Sequence, residues 1–356
     1  MLLRRLPRRA LLSVSGADAR CMLDALLSCA VSDVRILGDS LCSAGGDKKG
    51  CVYGGLLTET GRVFYDLFVH GGTPLIARET GADDGVIVEC SARAKQHLAT
   101  MLRRRVMHAD VVIKDVPETK LAVAATFAAD AVHDLAANNE ELEAAGLCRD
   151  PRVPLAAGRG IVPTHHVDHA ESFLDGGGYR AWRYAVGLPC GPLEMRPGVL
   201  TALAVNFDVH GPQVLRDPTQ HTYPGHDAVQ AEIAREMVSQ ESFLNSKRVV
   251  PVRLEGEGAM GALGGDELVI KRGEHAGPNL VGRLIAAEDG KGLALMRVAD
   301  ALRASKEGAD PIQSAIGAKE QWSPADPSVQ YDVRPLMPPW WPRGPRPSGG
   351  APRRAP

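Results

Sequence analysis

Residues Arg62 to His70, Arg-Val-Phe-Tyr-Asp-Leu-Phe-Val-His, fit a strand and little else, and they put a carboxylate in the middle of it. β-Branched and aromatic residues alternate, so Val63, Tyr65, Leu67 and Val69 fall on one face and Phe64, Asp66 and Phe68 on the other. The preceding Glu59-Thr60-Gly61 reads as a hairpin turn. A carboxylate between two phenylalanines is desolvated, which disfavours its charged form unless a cation or several amide donors compensate. Asp66 is therefore a functional-site candidate. The alternative reading is an aspartate paired with a neighbouring arginine to set strand register.

At 356 residues the chain can bury more than one core, and length alone suggests about two or three domains. A formal net charge of −2 gives the whole chain no reason to seek a nucleic acid, although a local patch can still bind a polyanion. No apolar run approaches the roughly 20 residues that a membrane-spanning helix needs. The seven cysteines, Cys21, Cys29, Cys42, Cys51, Cys90, Cys148 and Cys190, are odd in number and scattered, which favours reduced thiols. Cys42 and Cys51 stand at a spacing unlike the C-x2-C pairs of zinc sites.

Residues 1–10 carry four arginines and no acid, the pattern of a mitochondrial presequence or a solvated basic arm. Ser15 is placed to cap a helix bearing Met22, Ala25, Leu26 and Cys29, and Ser91 to cap one bearing Leu98, Met101, Leu102 and Val106. Residues 39–50 read as a Gly- and Ser-bearing loop, and Gly85 to Cys90 and Ala109 to Val116 as strands. Helices mixed with antiparallel hairpins argue α+β rather than a doubly wound sheet. Arg103-Arg104-Arg105 lacks interleaved aromatics and reads as a solvated helix face. Val249 to Leu254, Glu267 to Lys271, Asn279 to Ala286 and Leu293 to Val298 are short glycine-punctuated strands, suggesting a small antiparallel barrel over 247–305. Residues 306–356 are rich in proline and arginine around Trp340-Trp341. They are expected to be disordered, to wrap a partner, or to dock back on the chain.

Other chemistries find little support. His165-His166-Val167-Asp168-His169 has metal-binding residue types, but histidines in such a loop usually stay solvated. Gly176-Gly177-Gly178 lacks the lysine and hydroxyl of a phosphate loop, and there is no G-x-S-x-G elbow.

Four collinear segments resemble one family. Leu11-Leu-Ser-Val-Ser-Gly16, Leu56 to Leu67, Tyr179-Arg-Ala-Trp-Arg183-Tyr-Ala-Val-Gly-Leu-Pro189 and Gly290-Lys-Gly-Leu-Ala-Leu-Met-Arg297 are similar in order and spacing to the folate-binding family of the glycine-cleavage aminomethyltransferase (T-protein) and bacterial YgfZ. The nearest branch is that of mitochondrial iron–sulfur-cluster assembly. The resemblance implies an α+β fold of the GcvT/YgfZ type, with two interlocked domains over 11–242 around a central channel and a C-terminal β-barrel. It implies that Asp66 faces that channel, with Arg62 and Asn206 as weaker lining candidates, and that the cofactor is tetrahydrofolate. It further implies the mitochondrial matrix and A-type iron–sulfur scaffold proteins as partners. The implied role is a maturation factor for iron–sulfur proteins. The alternative is a non-catalytic structural or assembly subunit of a large mitochondrial complex, ribonucleoprotein or respiratory. Aminomethyltransferase activity is not expected, because that enzyme's Y-T-G-E-x-G-x-E motif has no counterpart here.

One departure outweighs the matches. YgfZ-like members carry K-G-C-[FY]-x-G-Q-E after a P-L-E-x-N-L-D segment. Here Leu203-Ala-Val-Asn206-Phe-Asp208 is followed by Gln220-His221-Thr222-Tyr223-Pro224-Gly225-His226-Asp227, with Thr222, or Val229 in a shifted alignment, in the cysteine's place. Lys49-Gly50-Cys51-Val52-Tyr53-Gly54 looks like the signature but precedes the Asp66 hairpin, so the role does not pass to Cys51. A threonine hydroxyl is far too weakly acidic to replace a thiolate without an activating base, and His221 and His226 have no evident orienting partner. Thiol-dependent family chemistry is not expected of this chain alone.

Overall fold

The strand with the internal carboxylate forms, and it pairs back on the Cys51–Leu57 strand through a hairpin whose Gly61 has φ +71°. A computed structural model describes residues 3–34, 50–81, 85–127, 142, 145–153, 157–167, 178–209, 215, 222–256, 259, 262, 264–265, 267–270, 279–306, 308–309, 311–315, 331–338 and 341. The chain divides into two units. Met1–Tyr179, Cys190–Ala202 and His210–Gln230 make the first, and Arg180–Pro189, Leu203–Val209 and Ala231–Pro356 the second.

The first unit holds two antiparallel sheets. One runs Cys51–Leu57, Val63–His70, Val86–Ser91, Arg9–Ser15, Val112–Val116; the other runs Arg4–Arg5, Leu121–Thr126, Gly158–Pro163, Leu147–Arg149. The helices Ala19–Leu26 and Lys95–Val106 cover one face of the five-stranded sheet. Leu23, Leu26, Leu98 and Leu102 pack there on Leu12, Val52, Leu67, Val69 and Val88, each buried side chain contributing about 1.5–3 kcal/mol.

Ser15 and Ser91 do not cap these helices. Both are the last residues of strands, paired with Val112 and Arg9, so the sheet ladder claims them and the helices start a few residues later. Cys29 lies beyond its helix against Gly54, where an added Cβ would stand 2.6 Å from the sulfur, so only glycine fits that point of the strand. A bulge corrects the expected face of Phe64. Leu56 pairs with Tyr65 and Leu57 with Val63, so Phe64 is the extra residue and packs with the apolar core beside Tyr65 and His97 rather than beside Asp66. Residues 3–10 are not a free arm: Arg4–Arg5 pairs with Ala124–Ala125, and Arg9 opens a central strand.

In the second unit a closed antiparallel barrel runs Lys247–Glu255, Lys291–Arg297, Asn279–Glu288, Glu267–Ile270, Ile312–Ala315, Asp332–Pro335 and back to the first strand. Its last two strands come from the stretch read as a tail. Four residues each, flanked by proline-rich sequence, they carry no periodicity of their own; the ladders they complete give them their place. Trp341 is buried in the same core with Tyr331 and Met337, so this tryptophan docks on its own barrel. Residues 316–330, Trp340 and 342–356 lie outside the described residues.

Trp341→Ala should therefore destabilise the barrel by about 3–5 kcal/mol in chemical denaturation, the usual cost of emptying a large aromatic site. A loss under about 1 kcal/mol would mean that the indole is not part of the packed core.

Candidate functional site

Strand register decides what surrounds Asp66. Tyr53 pairs with Phe68, Phe68 with Glu89, and Glu89 with Leu11, forming one row across four strands. Positions two residues away share that face, so Arg9, Asp66 and His70 join Tyr53, Phe68 and Glu89 opposite the apolar core. All six are buried.

Glu89, at 0% exposure, is the centre of the group. It accepts from Arg9 Nε at 2.5 Å, from Arg159 Nε at 2.9 Å and Arg159 Nη2, and from His70 Nε2 at 2.9 Å. Burial alone would raise its pKa, but the Arg159 and Arg9 guanidiniums prevail and hold it well below the usual carboxylate range. Arg159 comes from the other sheet of the unit, with Asp150, Arg152 and Tyr179 beside it. Arg152 donates from Nε and Nη2 to Asp150 at 2.9 and 2.6 Å, and Tyr179 Oη accepts from Arg152 Nη2 and Arg159 Nη1 at 2.8 and 2.7 Å. Burial again opposes ionisation of Asp150, and the Arg152 and Arg159 charges again win, lowering its pKa. The Phe68 ring is the packing surface for all three cations, with guanidinium carbons 3.9 Å (Arg159), 4.9 Å (Arg152) and 5.5 Å (Arg9) from its centroid.

Asp66 receives both kinds of compensation that its burial demands. Arg9 Nη1 lies 3.3 Å from Oδ2, and the Gly191 amide donates to Oδ1 at 2.9 Å. The same Nη1 is 3.2 Å from Cys190 Sγ. Arg9, Arg152 and Arg159 thus balance Asp66, Glu89 and Asp150 in charge. One donor is left over: Arg152 Nη1 is buried with no acceptor among the described residues. The array can therefore offer a polar ligand carboxylate lone pairs at Asp66 and an unspent guanidinium N–H.

The other sequence candidates lie elsewhere. Arg62 is exposed at the hairpin and donates to the Val199 carbonyl at 2.5 Å. Asn206 belongs to the second unit, in the left-handed region at φ +63°, and donates from Nδ2 to the Val249 carbonyl at 2.8 Å while its buried Oδ1 has no donor among the described residues. His165 and His166 sit exposed on a single 3-10 turn, Asp168 and His169 are outside the described residues, and no cluster of three metal-ligating side chains occurs among the described residues. Thr222 is exposed, and His221 is outside the described residues. Next to it Gly225, at φ +81°, lies so close to the Thr58 carbonyl that no side chain fits. Arg9, Glu89, Asp150, Arg152, Arg159, Tyr179 and Cys190 were not singled out from sequence. Glu89 carried a signal, since it is the one charge in the strand Val86–Ser91.

Residues 247–343 match the family described as "CAF17, C-terminal beta-barrel domain". The barrel is similar to that CAF17 domain. That match covers the two strands from the proline-rich stretch, so the similarity extends over the whole six-stranded closure rather than its first four strands. Among solved structures the chain is similar to the glycine cleavage system aminomethyltransferase T from Bartonella henselae, with a TM-score of 0.57 and 14% identity over 95% of this chain and 85% of that one. The likeness establishes an aminomethyltransferase-type fold, ending in a barrel similar to the CAF17 C-terminal domain. No curated protein matches the chain in sequence.

Because the folded-state pKa values of Glu89 and Asp150 are depressed, their contribution to stability is complete above their ordinary values of 4.5 and 3.8 and is lost as the pH falls through the lower folded-state values. Stability should decline with acid from about pH 5 downward, and Glu89→Gln should flatten that decline. An unchanged pH slope in the variant would show that Glu89 does not carry it. Arg159→Met, which strands Glu89 with one guanidinium fewer, should cost about 3–5 kcal/mol at neutral pH in denaturant titration.

Proposed function

We propose that this chain is a folate-binding maturation factor for iron–sulfur proteins, acting in the mitochondrial matrix. The supporting observation is the charge-balanced array around Asp66 in an aminomethyltransferase-type fold that carries a CAF17 barrel. The donor set fits a reduced pterin. Asp66 supplies acceptor lone pairs for the amino-pyrimidinone edge, and Arg152 Nη1 is a buried donor in need of a carbonyl or ring nitrogen. Tetrahydrofolate, when bound, is a one-carbon carrier. The chain's own contribution is to hold it: Arg9 and the Gly191 amide orient Asp66, and Glu89 fixes Arg9. Arg62 donates instead to the Val199 carbonyl, and Asn206 belongs to the second unit.

The matrix location and the A-type iron–sulfur scaffold partners rest on the family resemblance. Removal of residues 1–10 is not compatible with the site as built, since Arg9 is buried in it. A second reading is favoured by the missing signature cysteine, in whose place the resemblance puts the exposed Thr222 or, in a shifted alignment, the buried Val229. On that reading the chain keeps the fold and serves as a structural or assembly subunit of a large mitochondrial complex.

Calorimetric titration with tetrahydrofolate separates the two. Wild type should bind, and Asp66→Asn should weaken binding at least tenfold, about 1.4 kcal/mol. Equal affinities would remove Asp66 from the site, and absence of binding by wild type would favour the scaffold reading. In cells lacking the endogenous cluster-assembly relative, the chain should fail to restore [4Fe–4S] enzyme activity by itself. Full rescue would show that the missing thiol is dispensable.

A further inference from the structure

Outside the arginine–carboxylate array the first unit holds a pair of cysteines to which the proposed function assigns no role. Cys51 opens the Cys51–Leu57 strand of the five-stranded sheet and is buried. Cys148, in the Leu147–Arg149 strand of the four-stranded sheet, is half-buried. Each thiol faces a backbone carbonyl, Cys51 Sγ that of Val52 at 3.7 Å and Cys148 Sγ that of Arg159 at 3.2 Å, and the two side chains are neighbours across the sheets. Gly50 permits the approach: a Cβ there would lie 3.0 Å from Cys148 Cβ and 3.7 Å from its sulfur, so the missing side chain lets Cys148 rest against the residue that precedes Cys51.

We propose that Cys51 and Cys148 form a redox pair that closes to a disulfide when a hydroperoxide oxidises Cys148. The half-exposed thiol meets the oxidant, and the buried one resolves it. Burial, followed by the neighbouring Cys148 thiol, pushes the Cys51 pKa well up, so Cys51 stays protonated and does not compete for the first step. In that step the Cys148 sulfur attacks one peroxide oxygen, the O–O bond breaks, and hydroxide leaves as water with the thiol proton, giving a sulfenic acid. In the second, the Cys51 sulfur attacks the Cys148 sulfur, the S–O bond breaks, and water departs with the Cys51 proton. Two thiols lose two electrons, and hydrogen peroxide becomes two waters.

The bond would tie together the two sheets that supply the array. Cys148 donates its S–H to the Arg159 backbone carbonyl at 3.2 Å in the reduced state, and oxidation consumes that hydrogen. The pair thus touches, through main chain, the residue whose guanidinium holds Glu89.

The full chain, reduced and desalted, is treated with a few equivalents of hydrogen peroxide, blocked with N-ethylmaleimide and digested without reductant for mass spectrometry. A cross-linked species joining the Cys51 and Cys148 peptides is expected, reversed by dithiothreitol and absent from Cys148→Ala. The oxidised wild type should also melt higher than the reduced one, with no such shift in Cys148→Ala. Recovery of Cys148 as sulfinic acid while Cys51 carries maleimide, or of Cys148 joined to another cysteine, would overturn the proposal. The wild-type cross-link decides the matter by itself if the variant does not fold.

Discussion

Glu89 is the residue on which the first unit turns. Fully buried, it binds Arg9 from its own sheet and Arg159 from the other, and each of those guanidiniums has further obligations to Asp66, Cys190 or Tyr179. An isolated buried carboxylate would simply take up a proton. Here the two cations make the ionised form the stable one, and the ion pair becomes a join between sheets. The benefit of such a group is geometric: it admits one arrangement of partners, whereas apolar packing tolerates several. Phe68 gives the three guanidiniums a common surface, so the charged heads stack on a ring while their donors point at carboxylates and a phenol.

That arrangement bears on what the chain can do without the signature thiol. Asp66 does not await a cation, since Arg9 and the Gly191 amide already contact and orient its two oxygens. Such a site is suited to holding a polar ring through hydrogen bonds. Thr222 stands exposed, and three residues on, Gly225 is pressed against the Thr58 carbonyl.

The barrel shows a different economy. Six short strands close on themselves and leave no edge, and a strand of four residues is enough when both neighbours are already in place. Trp341, beyond the last strand, completes the core from a proline-rich segment whose composition alone suggested a solvated tail.

The strand character of residues 62–70, the buried carboxylate within it, the α+β class and four of the barrel strands were legible from sequence, because alternation and glycine punctuation are local properties. The helix caps were misplaced because Ser15 and Ser91 also suit a strand end, and only the ladder chooses between the two uses. The bulge at Phe64 and the strands at 312–315 and 332–335 depend on register with distant partners, and no local pattern encodes register. The site divides in the same way. A charge alternating with apolar residues announces Asp66 and, on the same rule, Glu89. Arg9, Asp150, Arg152 and Arg159 look like ordinary polar residues until tertiary structure buries them, because a guanidinium becomes part of a site only when a carboxylate far away in the chain is brought within reach of it.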